Sequence, residues 1–231
     1  MFWLRELSPM NPSPLPAEAQ AEQAPEPRWT ALFALISVGL LNFVLPRSLL
    51  FGPKWLLIAV VALLTLPTVW THRAGHHNWN QFFGYLATGL ETLALVASVT
   101  LLVAGLPSGQ EKAPELLRAG TFLWVSNVLI FALWYWRLDA GGPHRRDARA
   151  GHRRGDFLFP QMTLGEDDAN FDPSWSPLFV DYLFLSFNSS TALSPTDAPV
   201  LSRAAKVLMM IQSLIALTIL AVLISRAINV L

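Results

Sequence analysis

Two groups of residues in this sequence have types and spacing that could do chemistry. The first is a pair of acids set in apolar sequence, Glu91 in YLATGLETLALVAS and Asp181 in SPLFVDYLFLSF. The second is the run FNSSTALSPTD, Phe187 to Asp197, between two apolar segments. A carboxylate inside a membrane is rare, usually faces the bundle interior, and marks an ion or proton path by default. Thr88 and Thr92 are helical neighbours of Glu91, and Asn127 is its expected partner. The plainer role for Glu91 is one interhelical hydrogen bond, worth about 1 kcal/mol or less. In the second group Asn188, Ser190, Thr191, Ser194, Thr196 and Asp197 supply oxygens and an amide. They are suited to lining a polar vestibule, or to satisfying the backbone of a turn.

Other groupings are weaker. The chain has no cysteine, which removes disulfides, thiolate metal sites and thiol catalysis. His72 and His76 have i,i+4 spacing and His77 follows, but Gly75 interrupts them and no acid is near, so an interfacial loop is expected. Glu166, Asp167 and Asp168 are read as a solvated acidic loop rather than a cation site. Asn188-Ser189-Ser190 matches a glycosylation sequon, at a position unsuited to modification. No nucleophile elbow, phosphate loop or metalloprotease helix occurs, so no enzyme, cofactor or metal is expected.

What must position these residues is set by composition. Of 231 residues, 53% are hydrophobic and 14% charged, and mean hydropathy is +0.41. Soluble domains carry about 25% charged residues. Here the apolar residues fall in blocks, which predicts an all-α integral membrane bundle. Sixteen basic and sixteen acidic residues leave no net charge, and nothing points to nucleic acid.

Residues 1–28 hold six prolines among Ala, Glu and Gln and read as a disordered tail. Residues 29–137 read as a four-helix transmembrane region. Its first two blocks, Thr30 to Leu45 and Trp55 to Trp70, are joined by a tight hairpin, and each spans about 24 Å of helix. That is marginal against a core of about 30 Å, and Trp29, Trp55 and Trp70 extend them as interfacial anchors. Phe82 to Leu106 and Thr121 to Trp136 are the next two, with Arg137 and Asp139 just outside the membrane and Pro67 a candidate kink in the second span. Residues 138–175 read as a polar loop, basic then acidic, interrupted by the apolar island FLFP. In residues 176–231, Ser176 and Pro177 are suited to start a helix. It would end near Ser190 after about 21 Å, too short to cross. Val207 to Ser225 is the last span. The total is about five transmembrane helices and one re-entrant half-helix.

Spanning helix, long loop, half-helix, polar turn and spanning helix resemble the potassium-channel pore module. The turn TALSPTD is similar to that family's filter and its exit. Asp197 stands for the filter's Asp, Ser194-Pro195-Thr196 stand where Gly-Tyr-Gly would be, and Pro199 and Arg203 follow at similar spacing. The family's filter is a set of backbone carbonyl rings built on glycine angles. Pro195 locks φ near −65°, and the only glycine after Asp156 is Gly165. Side-chain hydroxyls and carboxylates would therefore line any pore. The same C-terminal part resembles an uncharacterised family of bacterial multi-pass membrane proteins, with a similar aromatic-Asp half-helix before a Ser/Thr-Asp turn.

With the N-terminus inside, eleven Lys and Arg residues fall on the inner side and five on the outer side. The positive-inside rule favours that orientation. It sets the loop and half-helix on the cytoplasmic face of a bacterial inner membrane, opposite to a channel's pore loop. The expected function is a channel-like, permeation-related homo-oligomer. The alternative is a non-conducting scaffold whose arginine-rich loop meets lipid headgroups.

Overall fold

Each apolar block of the sequence is a helix in the computed structural model, which describes residues 26–73, 77–106, 113–148, 155–192 and 198–228. Within these, the side chains of 67–73, 77–78, 113 and 227–228 are left aside. Seven α-helices are seen among the described residues: α1 Trp29–Val44, α2 Leu56–Arg73, α3 His77–Gly105, α4 Ala113–Leu138, α5 Pro143–Asp147, α6 Phe179–Thr191 and α7 Arg203–Ile228. The chain is all-α. Three stretches are long and apolar enough to cross a membrane, Trp79–Gly105, Pro114–Gly141 and Arg203–Arg226. Trp29–Val44 and Leu56–Leu66 are shorter apolar helices.

Proline and glycine set the first corner. Leu45 precedes Pro46 and is pushed to ψ 150°, which ends α1. A 3₁₀ turn at Arg47–Leu49 and Gly52, at φ +98°, return the chain into α2. At Gly39 α1 packs on Ile58 of α2, where a β-carbon would make ordinary contact at 3.4 Å. The α2 helix continues through Pro67 to Arg73. Residues 74–76, with His76 of the histidine group, lie outside the described residues.

The axis of the bundle is α4, which packs on α1, α3, α6 and α7; α2 packs on α1 and α3. On α4, Ala119, Ile130, Phe131, Ala132 and Leu133 are fully buried. On α7 the reverse holds, with Val207, Met210, Leu214, Leu217 and Ile224 exposed. A large exposed apolar surface of this kind marks a membrane or protein contact. Contact between α4 and α7 is close at Gly120, where a β-carbon would stand 2.5 Å from Leu223 Cδ2.

Three sequence expectations need correction. The tail does not extend to residue 28, because Glu26 is buried and bonded to the protein. The segment 138–175 is not one solvated loop. It contains α5, a 3₁₀ turn at Pro160–Thr163 and an antiparallel bridge, Phe157 to Val200. The island FLFP is core: Phe157 is fully buried and Phe159 nearly so, against Tyr135, Tyr182 and Trp175. Third, the short helix begins at Phe179, not Pro177. Asp181 explains this, since its Oδ2 accepts the backbone N–H of Leu178 at 2.7 Å and closes the first turn there.

Candidate functional site

Three polar groups lie inside the apolar bundle. The first holds α6. Its N-terminal turn meets the end of α4, where Tyr182 donates to Asp139 Oδ2 at 2.7 Å. Its C-terminal turn reaches α4 at Asn127, whose amide donates to Ser190 Oγ at 3.3 Å. After residues 193–197 the chain is again at the level of Asp139, because Leu158 N–H donates to Pro199 O and Leu201 N–H to Asp156 O.

Gln212 on α7 joins the same group. Its Nε2 lies 2.8 Å from Ser186 O, 2.7 Å from Ser186 Oγ and 2.7 Å from Ser190 Oγ. Its Oε1 accepts the hydroxyl of Tyr135 from α4. Ser186 Oγ in turn donates to Val128 O at 2.7 Å. Asn127, Ser186, Ser190, Tyr135 and Gln212 are all fully buried. One amide thus ties α7, α6 and α4 together. Serines spaced four apart present two oxygens on one face of α6, and that spacing was the available signal. Asn127 Oδ1 alone is left without a partner.

The second group sits at the corner after α4. Ala140 at φ 54° and Gly141 and Gly142 at φ 81° and 97° turn the chain sharply. The turn sends Asp139 inward, fully buried, where Oδ1 accepts the backbone N–H groups of Asp156 and Phe157. Arg146 from α5 folds back over Trp136 and Tyr182 and donates to Trp136 O at 2.7 Å and Asp139 O at 3.0 Å. Glu26 accepts from Arg146 at 3.2 Å and from Trp136 Nε1 at 2.8 Å. Arg28 pairs with Asp147. Burial pushes the Glu26 carboxyl above its ordinary 4.5, with Arg146 opposing the shift. On the exposed loop the hydroxyl and N–H of Ser174 hold Asp172 below the usual carboxylate range.

The third group surrounds Glu91. The residue is fully buried, and neither carboxyl oxygen has a hydrogen-bond partner among the described residues. The buried cation on the neighbouring helix is Arg137, in the last turn of α4. Arg137 was expected outside the membrane but is 6% exposed. Its guanidinium lies against Gly84 on α3, and its carbonyl accepts the Tyr85 hydroxyl at 2.9 Å. Trp134 stacks on Tyr85 and donates to Thr92 Oγ1 at 2.9 Å. Thr88 bonds to Gly84 O rather than to Glu91. The expected partner, Asn127, is committed to Ser190 and to Gln212 O.

The residues expected in a vestibule therefore separate. Ser190 is sealed in the packing between α4, α6 and α7. Asn188 is half-buried, and Thr191 is exposed with its hydroxyl on Phe187 O. Ser194, Thr196 and Asp197 lie outside the described residues. Of the two acids expected to be buried, Glu91 is and Asp181 is not, being half-exposed and used as a helix cap. Among the described residues no three His, Asp or Glu side chains come together as a metal site. Comparison of the chain with family models, with curated proteins and with solved structures found no match.

Proposed function

We propose that this chain is an inner-membrane protein of channel-like architecture. In this reading α1, α2, α3, α4 and α7 span the bilayer and α6 is a re-entrant half-helix. The observation that carries it is the path of α6. It begins beside Asp139 and ends beside Asn127, eleven residues inside Leu138. At about 1.5 Å per residue that is roughly 16 Å, about half of the roughly 30 Å core. Val200 is then paired with Phe157 at the level where α6 began.

The Gln212 network supports the same reading by fixing α6 on both neighbours, as a mount for the turn that follows. Irregular chain at depth must be covered by protein or line a wet cavity. A single α6 cannot enclose a path, so the protein acts as a homo-oligomer. Thr191, Ser194, Thr196 and Asp197 supply the polar lining, and ions pass without a potassium-type filter. The N-terminus and the arginine-rich loop are cytoplasmic.

One observation favours a second reading, a non-conducting scaffold. Ser190, Ser186 and Gln212 are fully buried and bonded to one another. Cation flux into proteoliposomes separates the two. Conduction predicts flux that falls at least several-fold in Thr191→Ala and Asp197→Ala. Absent flux from a folded oligomer, or flux unchanged by both variants, contradicts it.

A further inference from the structure

The α1–α2 corner holds a cleft of about 350 Å³. Its floor is α3, where Ala94 and Ala97 are small enough to leave the space open. Leu56, Leu57, Val60, Leu90 and Leu93 make apolar walls. Two polar side chains also line it, Asn42 from α1 and Ser98 from α3, and neither has a hydrogen-bond partner among the described residues. Ser98 is 2% exposed. The Ser98 side chain opens on the cleft, where its hydroxyl can donate to a polar atom of a ligand.

These features are layered by depth. Arg47 and Lys54 stand at the corner itself, Arg47 exposed and Lys54 half-buried, and no acid lies between Pro46 and Trp55. Asn42 is two residues before the end of α1. Ser98 is seven residues below Gly105, roughly 10 Å. Leu56 and Leu57 open α2 beside the corner, and Leu90 and Leu93 lie below Ser98 on α3. Two cations at the surface, two hydrogen-bonding groups beneath and an apolar cleft match the order of atoms in an anionic diacyl phospholipid: phosphate, glycerol ester, acyl chain.

We infer that this cleft is a binding site for one anionic phospholipid of the surrounding bilayer, its headgroup at Arg47 and Lys54, its ester oxygens at Asn42 and Ser98, and one acyl chain over Ala94 and Ala97. Ser98 and Asn42 donate to the ester oxygens, which lipid tails alone could not accept.

Native mass spectrometry of the full chain in mild detergent tests this, with phosphatidylglycerol and phosphatidylcholine of identical chains as probes. The wild type binds one phosphatidylglycerol about 10- to 30-fold more tightly than phosphatidylcholine, as two interfacial cations would give. Ala97→Leu fills the floor and removes both lipids. Arg47→Gln with Lys54→Gln removes the preference but keeps binding. Ser98→Ala with Asn42→Leu weakens both lipids equally and serves if Ala97→Leu does not fold. Equal affinity of the wild type for the two lipids overturns the inference. So does phosphatidylglycerol binding unchanged in Ala97→Leu, or a dimer that Ala97→Leu abolishes, which would seat a second copy in the cleft.

Discussion

The guanidinium of Arg137 occupies the space that a side chain at Gly84 would need: an added β-carbon would stand 1.9 Å from Nη1 and 2.3 Å from Cζ. Arg137 comes from the last turn of α4 and Gly84 from the second turn of α3. The missing side chain lets a buried cation lie against α3, on the helix that carries Glu91.

This relationship predicts the effect of a methyl group. Gly84→Ala gains about 1 kcal/mol of helix propensity, but overpacking costs about 1–3 kcal/mol, and the displaced guanidinium is buried. We expect net destabilisation in the wild type. In an Arg137→Ala background the same substitution should stabilise by the propensity gain. A double-mutant cycle by unfolding in mixed micelles measures the coupling. Equal effects in both backgrounds would show that the contact carries no energy.

The Gln212 network gives a second prediction. Gln212→Leu strands the Tyr135 hydroxyl, while Ser186 keeps Val128 O and Ser190 keeps Asn127; an unsatisfied buried group costs about 1–3 kcal/mol. Replacing partners together should cost less than replacing one. Gln212→Leu with Tyr135→Phe is therefore expected to recover part of the loss in the same unfolding assay. Additive losses would mean that the two groups do not act as a unit.

How much of this was legible in the sequence follows from what each residue type signals. Apolar blocks announce helices, so α1, α3, α4 and α7 were readable, with ends displaced by a few residues. Asp181 was misread because an acid in apolar sequence looks buried, whereas position N3 of a helix makes it a cap. Arg137, Asp139 and Arg146 were assigned to the aqueous side because charge usually marks an exit from the membrane. Their burial depends on partners far away in the chain, Gly84, Tyr182 and Glu26, and on a corner at Ala140 that no periodicity encodes. Glu91 was legible as a buried acid, but its companion was not, since helix pairing decides whether Asn127 or Arg137 faces it.

Glu26 gives a pH prediction. Its carboxyl is raised above 4.5 in the folded protein, by burial first, while Arg146 opposes the shift. Between 4.5 and the raised value the folded state binds more protons than the unfolded one, so this group's contribution is full below pH 4.5 and declines as pH rises. Glu26→Gln should flatten that decline in a melting-temperature series from pH 4 to 8. A wild type whose decline matches that of the variant would contradict the assignment.

At the corner, Tyr182→Phe removes the hydroxyl donor from the buried Asp139 carboxylate. Losing a hydrogen bond to a charged group costs about 1.5–3 kcal/mol. The loosened turn should also speed amide exchange at Phe157 and Leu201, which a change confined to Tyr182 would leave alone.

The claim that organises the account is that α6 enters and leaves the membrane on one face. Because the chain has no cysteine, single thiols at Ser48, Ser174 and Leu201 test it directly in intact cells with an impermeant reagent. The account predicts that Ser48→Cys is labelled from outside, and that Ser174→Cys and Leu201→Cys are both protected until the cells are opened. Labelling of Ser174→Cys and Leu201→Cys from opposite sides would make α6 a spanning segment and contradict the account.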